Sequence, residues 1–202
     1  MQLVEAAEPQ ATPGEWKSVS SSDKVTIYRR SYPGPANYES KAVGEIAAPI
    51  GVVREVIEDL ESHPKFMPYL AECRVLKREG DSVLTYQRIS APLVSDRDYT
   101  VRVRATPKTT GAETSYLIKW ETANALGPPE KRGVLRVQIC QGSWFLEPAG
   151  PETTRATYTI LTDSGGVLPA FVKQTGSQIA LRKMFAAIRK QARDPKYAPA
   201  GR

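Results

Sequence analysis

GGVLPAFVKQTGSQIALRKMFAAIRKQAR, residues 165–193, is the stretch from which the architecture is worked out. It begins with Gly165, Gly166 and Pro169, then runs free of proline to Pro195. Apolar residues recur at Leu168, Phe171, Val172, Ile179, Leu181, Met184, Phe185 and Ile188, close to a helical period. Lys173, Arg182, Lys183, Arg189, Lys190 and Arg193 fall mostly between them. The pattern predicts one long helix, about 40 Å from Val167 to Arg193 at ~1.5 Å per residue. The two glycines and the early proline read as a turn followed by an N-terminal helical proline.

Almost everything before this helix reads as short strands. Segments 24–32, 38–48, 73–79, 82–90, 97–106, 114–123, 133–148 and 153–163 are bounded by Pro- and Gly-rich links. Several alternate with period two. Tyr99, Val101 and Val103 oppose Arg102 and Arg104; Tyr116, Ile118 and Trp120 oppose Lys119 and Glu121; Leu135, Val137 and Ile139 oppose Arg136 and Gln138. Such alternation gives an antiparallel sheet one wet and one dry face. Pro49 opens a short helix, IGVVREVIEDL, that should end by Ser62, because His63 precedes Pro64. Strands, helix, many strands, long helix: the order predicts an α+β fold with a strongly curved antiparallel sheet wrapped around the last helix, which covers its apolar face.

A chain of 202 residues with 41% hydrophobic content suits one domain with tails. We read residues 1–15 as a loose N-terminal tail, 16–193 as the domain and 194–202 as a C-terminal tail. No run approaches the ~20 apolar residues of a membrane span. The start, MQLVEAAEPQATPGEW, has neither the basic nor the apolar region of an intact signal peptide. The expectation is a soluble or membrane-peripheral protein, cytoplasmic, or periplasmic if a leader has been removed. The net charge of +6 sits at the C-terminal end, where residues 167–202 hold eight Lys and Arg against one acid, Asp194. A solvated helix face is the plain reading, and contact with an anionic membrane the other. Exposed aromatics interleaved with the charge are lacking, so nucleic acid is not expected as a partner.

Catalysis would need a nucleophile with a base, paired carboxylates, a metal set or a cofactor loop. The chain has a single histidine, His63, and two cysteines, Cys73 and Cys140, 67 residues apart and both inside strand patterns. Two buried thiols and a disulfide are both open, the thiols being the plainer reading. There is no G-x-S-x-G and no phosphate-cradling glycine loop. No catalytic residue, metal or cofactor is assigned.

Three stretches, RGVLRV at 132–137, SDRDYTVRVR at 95–104 and above all DSGGVLPAF at 163–171, resemble the START family of lipid-transfer domains. The likeness runs from Trp16 to about Gln191, and HPKFMPYL also resembles the wider helix-grip superfamily, which includes polyketide cyclases. The resemblance implies a bacterial, monomeric member with the helix-grip fold. It would be a non-catalytic carrier of one sterol, phospholipid or other lipid in a tunnel between sheet and last helix, with transient membrane contact. A cyclase- or aromatase-like enzyme using the same cavity is the alternative. The tunnel wall implied is Arg97, Tyr99, Val101, Val103, Tyr116, Ile118, Trp120, Leu135, Val137 and Tyr158 from the sheet, with Phe171, Val172, Thr175 and Ile179 from the helix. Met184, Phe185 and Ile188 are expected to pack on the far end of the sheet. Gate or membrane contacts are Leu93, Val94, Gly165, Gly166 and Leu168. Arg97 and Asp98 match the family's Arg-Asp pair, read either as a strand-end ion pair or, for Arg97, as a ligand donor. Val103 stands where sterol-carrying members have a second arginine. His63 stands where phosphatidylcholine-transfer members have a phosphate-clamping arginine, and reads here as a helix-end residue.

Overall fold

The computed structural model describes residues 12–36, 38–92, 94–111, 113–163 and 170–198, with the side chains of 170–174 outside the description. Ten strands form one sheet: β1 (Lys17–Ser22), β2 (Val25–Ser31), β3 (Tyr38–Ile46), β4 (Leu70–Glu79), β5 (Ser82–Ile89), β6 (Arg97–Thr110), β7 (Glu113–Thr122), β8 (Leu135–Arg136), β9 (Ile139–Gly150) and β10 (Thr153–Asp163). Their order is β1-β2-β3-β10-β9-β7-β6-β5-β4, all antiparallel, with β8 pairing β6 in parallel off this path. Helix α1 (Ile50–Glu58) follows β3, and α2 (Ala170–Gln191) ends the sheet's run. This is the curved-sheet, terminal-helix arrangement expected from the order of patterns.

Alternation chooses the face each strand buries. Val25 and Ile27 of β2, Ala42 and Ile46 of β3, Trp144 and Leu146 of β9 and Ala156 of β10 share the main core with Val52, Val53, Val56 and Ile57 of α1. From α2 the core receives Leu181, Phe185 and Ile188, spaced four and three residues apart on one helical face. Phe185 meets Trp144 with ring centroids 5.4 Å apart. The same half of α2 is tied to the β1–β2 turn, whose central residues Asp23 and Lys24 both have left-handed backbone (φ 53° and 57°). That turn aims its carbonyls at the helix: Arg189 donates to the Asp23, Lys24 and Glu45 carbonyl oxygens at 2.8, 3.0 and 2.9 Å.

Three local departures from expectation have physical reasons. The stretch 133–148 is not one strand. β7 reaches only as far along β6 as Val101, so residues 135–137 peel off to pair with the uncovered start of β6, and β9 begins afterwards at Ile139. Arg136 is therefore not on a wet face but buried, where its guanidinium clamps Asp98 (Nε–Oδ1 2.7 Å). After α1 a 3₁₀ turn, Leu60–Lys65, carries the chain through Pro64, and His63 is buried in it. Residues 194–198 fold back on α1: Tyr197 is buried, its hydroxyl donates to Asp59 Oδ2 at 2.7 Å, and Lys196 Nζ bonds Asp59 and Ser62. Both cysteines are free thiols.

Candidate functional site

A cavity of about 720 Å³ lies between the concave face of the sheet and the first half of α2. Its existence follows from side-chain size. Where α2 passes over the packed end of the sheet it offers Leu181, Phe185 and Ile188. Where it passes over the cavity it offers the small residues Gly176, Ser177 and Ala180 beside Ile179, with Leu181 and Met184 lining the cavity at the border with the packed end. α1 packs in the main core, and its Ile57 also lines the cavity. Close-packed interiors carry few voids larger than a water, so a space of this size within the ordinary range for small-molecule sites marks a binding cavity.

Of the residues assigned to the wall from sequence, Arg97, Tyr99, Val101, Val103, Ile118, Trp120, Val137, Tyr158 and Ile179 line the cavity, as does Val94 from the β5–β6 connection. Three others stand elsewhere. Tyr116 has the right parity but lies too far along β7, where the α1 side chain Arg54 covers its ring at 4.6 Å. Leu135 belongs to the segment pairing with the start of β6. Thr175 is exposed on α2. Leu93, Gly165, Gly166 and Leu168 lie outside the described residues, as do the side chains of Phe171 and Val172. Met184, expected at the far end, also faces the cavity.

Sequence reasoning passed over Tyr38, Ser40, Gln87, Cys140, Trp144, Ile160 and Thr162, all in the wall. Period-two counting from Tyr158 would have found Ile160 and Thr162, and the β3–β10 register then brings Ser40 opposite Ile160. His63, read as a helix-end residue, also lines the cavity, with Nε2 3.2 Å from the Val56 carbonyl oxygen and its ring edge-on to Phe66.

The wall is apolar and aromatic, with a few neutral polar atoms. Trp120 stacks on Tyr158 (centroids 5.4 Å), and Tyr158 meets Trp144 at 4.7 Å. The Tyr99 hydroxyl donates to Gln87 Oε1 at 2.9 Å. Burial acts on several ionisable groups of the wall. It pushes the Tyr99 and Tyr158 phenols well above their ordinary value, raises the Cys140 thiol to about 12, and lowers His63. Arg97 is the charged residue of the lining, and its Nη1 donates to the Ser95 carbonyl oxygen at 2.5 Å. No Asp or Glu lines the cavity among the described residues. Nor, among them, do three His, Cys, Asp or Glu side chains gather in a way that could hold a metal ion.

Behind the wall, on the convex side of β6, Asp98 is held by two contacts from Arg136 (2.7 and 3.3 Å) and by the Tyr86 hydroxyl (3.0 Å). Arg97 is thus not the partner of Asp98. The stretches SDRDY and RGVLRV meet in this buried pair, which fixes the short segment that carries Val137 into the cavity wall.

Comparison with known proteins agrees with this architecture. The family described as polyketide cyclase/dehydrase and lipid transport matches residues 46–189. An uncharacterized protein of Pseudomonas aeruginosa is 30% identical over 159 residues, 78% of this chain and 77% of that one. The phosphatidylcholine transfer protein of Rattus norvegicus is 25% identical over 171 residues, 84% of this chain and 79% of that one. Among solved structures, a STAR-related lipid transfer protein from Xanthomonas axonopodis superposes with a TM-score of 0.76 at 22% identity, covering 89% of this chain and 99% of that one. A Streptomyces aromatase/cyclase is less similar, with a TM-score of 0.56 at 15% identity over 76% of this chain and 92% of that one. The chain belongs to the polyketide cyclase/dehydrase and lipid transport family, and its fold is the START helix-grip.

Proposed function

We propose that the protein binds one lipid in the cavity under α2 and carries it between membranes without altering it. The observation that carries this reading is the cavity itself, about 720 Å³ with a wall of aliphatic and aromatic side chains, a few hydroxyl, amide and thiol groups, and Arg97 as its charged residue. Each methylene moved from water into such a space gains about 0.8 kcal/mol, so an acyl chain or ring system is held without catalytic machinery. The relatives named as lipid and phosphatidylcholine transfer proteins support the same role.

Release requires the wall to open. In this reading α2 is the gate, hinged on its anchored second half, where Arg189 grips three backbone carbonyls and Phe185 sits in the core. The first half contributes small residues over the cavity, and Ile179, 43% exposed, stands at its rim with Val94. A transient membrane contact at this rim suits the cationic character of α2.

The test is transfer of a labelled lipid between donor and acceptor vesicles, with mass spectrometry of the lipid afterwards. The carrier reading expects transfer faster than spontaneous exchange and an unchanged mass. A converted product would support the cyclase-type alternative, and absence of both binding and transfer across sterols, phospholipids and fatty acids would overturn the proposal.

A further inference from the structure

Arg29 on β2 has the parity of Val25 and Ile27 and so points to the concave side of the sheet, under α2. Its guanidinium lies 4.3 Å from the ring centroid of Tyr38, and Nη2 donates to Ser177 Oγ in a long 3.3 Å bond. Tyr38, Ser177 and Ser40, the β3 partner of Arg29, all line the cavity. Its Nε is fully buried and has no acceptor among the described residues. A buried donor left unmade is costly, and more so on a charged group.

Nearby acids do not supply the missing partner. Glu39, next to Tyr38, points to the other face and pairs with Arg30 at 2.6 Å. Asp23 faces Arg182 at 3.9 Å. Arg29 itself does not line the cavity: its guanidinium lies behind Tyr38 and Ser177, which do, with Nη2 on Ser177 Oγ and Nε without a described acceptor, and no described carboxylate lines that cavity. The Nε and Nη2 edge of a guanidinium is the natural mate of an oxyanion, which takes both N–H groups at once.

We propose that Arg29 recognises the head of the bound ligand, and that this ligand is an acidic amphiphile: an apolar body in the cavity ending in a carboxylate or phosphate beside Tyr38, Ser177 and Arg29. The assignment rests on the cavity being a lipid site and adds the charge of its occupant. Stacking on Tyr38 holds the guanidinium in place before the ligand arrives, so little side-chain freedom is lost on binding.

The experiment uses the delipidated full chain and two fluorescent probes that differ only in head charge, cis-parinaric acid and its methyl ester. The wild type is expected to bind the acid on the order of tenfold to hundredfold more tightly than the ester, the range of a charge-assisted hydrogen-bonded pair. Arg29→Met should abolish that preference, bringing the affinity for the acid down to that for the ester, while Arg29→Lys keeps part of it. Equal binding of acid and ester by the wild type overturns the proposal, as does an Arg29→Met variant that weakens both probes alike, which would make Arg29 a structural pin for α2. If the ester binds without any preference for the acid, only the head assignment falls. If neither probe binds and no lipid co-purifies, the carrier reading falls with it. Hexadecyl phosphate should compete with parinaric acid and millimolar inorganic phosphate should not; equal competition by free phosphate would make this a simple anion site and refute the amphiphile.

Discussion

Replacing Arg136 by methionine should unfold the protein far more readily than its position near the end of a loop suggests. The substitution keeps the length and apolar stem of the side chain but strands the carboxylate of Asp98. Asp98 is 1% exposed and the Arg136 side chain 7%, so water cannot replace the lost partner. Three of the contacts around this pair go through the guanidinium: two to Asp98 at 2.7 and 3.3 Å and one to the Pro128 carbonyl oxygen at 3.1 Å. Among the described residues, only the Tyr86 hydroxyl would remain on the Asp98 side chain. Breaking one side of a buried ion pair costs about 3–5 kcal/mol, or roughly 6–20 °C in melting temperature for a chain of this size. Urea and thermal unfolding measure the loss. The double variant Asp98→Asn/Arg136→Met removes the orphaned charge and should recover a large part of it. A loss under about 1 kcal/mol for Arg136→Met, or a double variant as damaged as the sum of the singles, would refute the buried clamp.

Further outcomes follow from packing and charge. A Cβ at Gly142 would press into the Thr159 carbonyl oxygen and the Trp120 ring, so Gly142→Ala should cost about 1–3 kcal/mol and shift tryptophan emission as the cavity wall moves. Burial pushes the Asp59 carboxyl up, but hydrogen bonds from Lys196, Tyr197 and Ser62 outweigh it and hold it at about 2 instead of 3.8. A lowered folded value stabilises above the unfolded one, so the stability advantage of the wild type over Asp59→Asn should be constant above about 3.8 and vanish as pH falls through 2. Burial raises both cysteine thiols to about 12; neither should react with a disulfide reagent at mildly alkaline pH until denaturant is added.

Much of this was legible in the chain, because period-two alternation reports which side of a strand is dry wherever the other side is bare. Val101, Ile118 and Trp120 were placed on the dry face in this way. The rule failed where both faces are covered. Residues 123–137 lie over the outer side of β6 and bury Asp98 and Thr100 there, with Asn124 bonding both the Thr100 amide and the Val137 carbonyl at 2.8 Å; Arg136 was misread as solvated for that reason. Alternation also carries no depth along a strand, so Tyr116 could not be told from Ile118 without knowing that Arg54 of α1 covers its ring. The small residues Gly176, Ser177 and Ala180 line the cavity, yet they carry little apolar signal, and attention went to the larger Phe171 and Val172. Arg29 was hidden in the polar run YRRSY, where parity alone separates an inward arginine from its outward neighbour Arg30.

The central claim is that the space under the first half of α2 holds one lipid. Ala180 faces that space from the helix, and Ala180→Trp would fill part of it while leaving Phe185, Ile188 and the Arg189 contacts untouched. Native mass spectrometry of wild type and variant, with extraction and identification of whatever is bound, measures occupancy directly. The account predicts a hydrophobic ligand at one per chain in the wild type and a large loss of it in a variant that still folds; a ligand-free wild type, or a folded Ala180→Trp variant carrying the same ligand at the same stoichiometry, would contradict it.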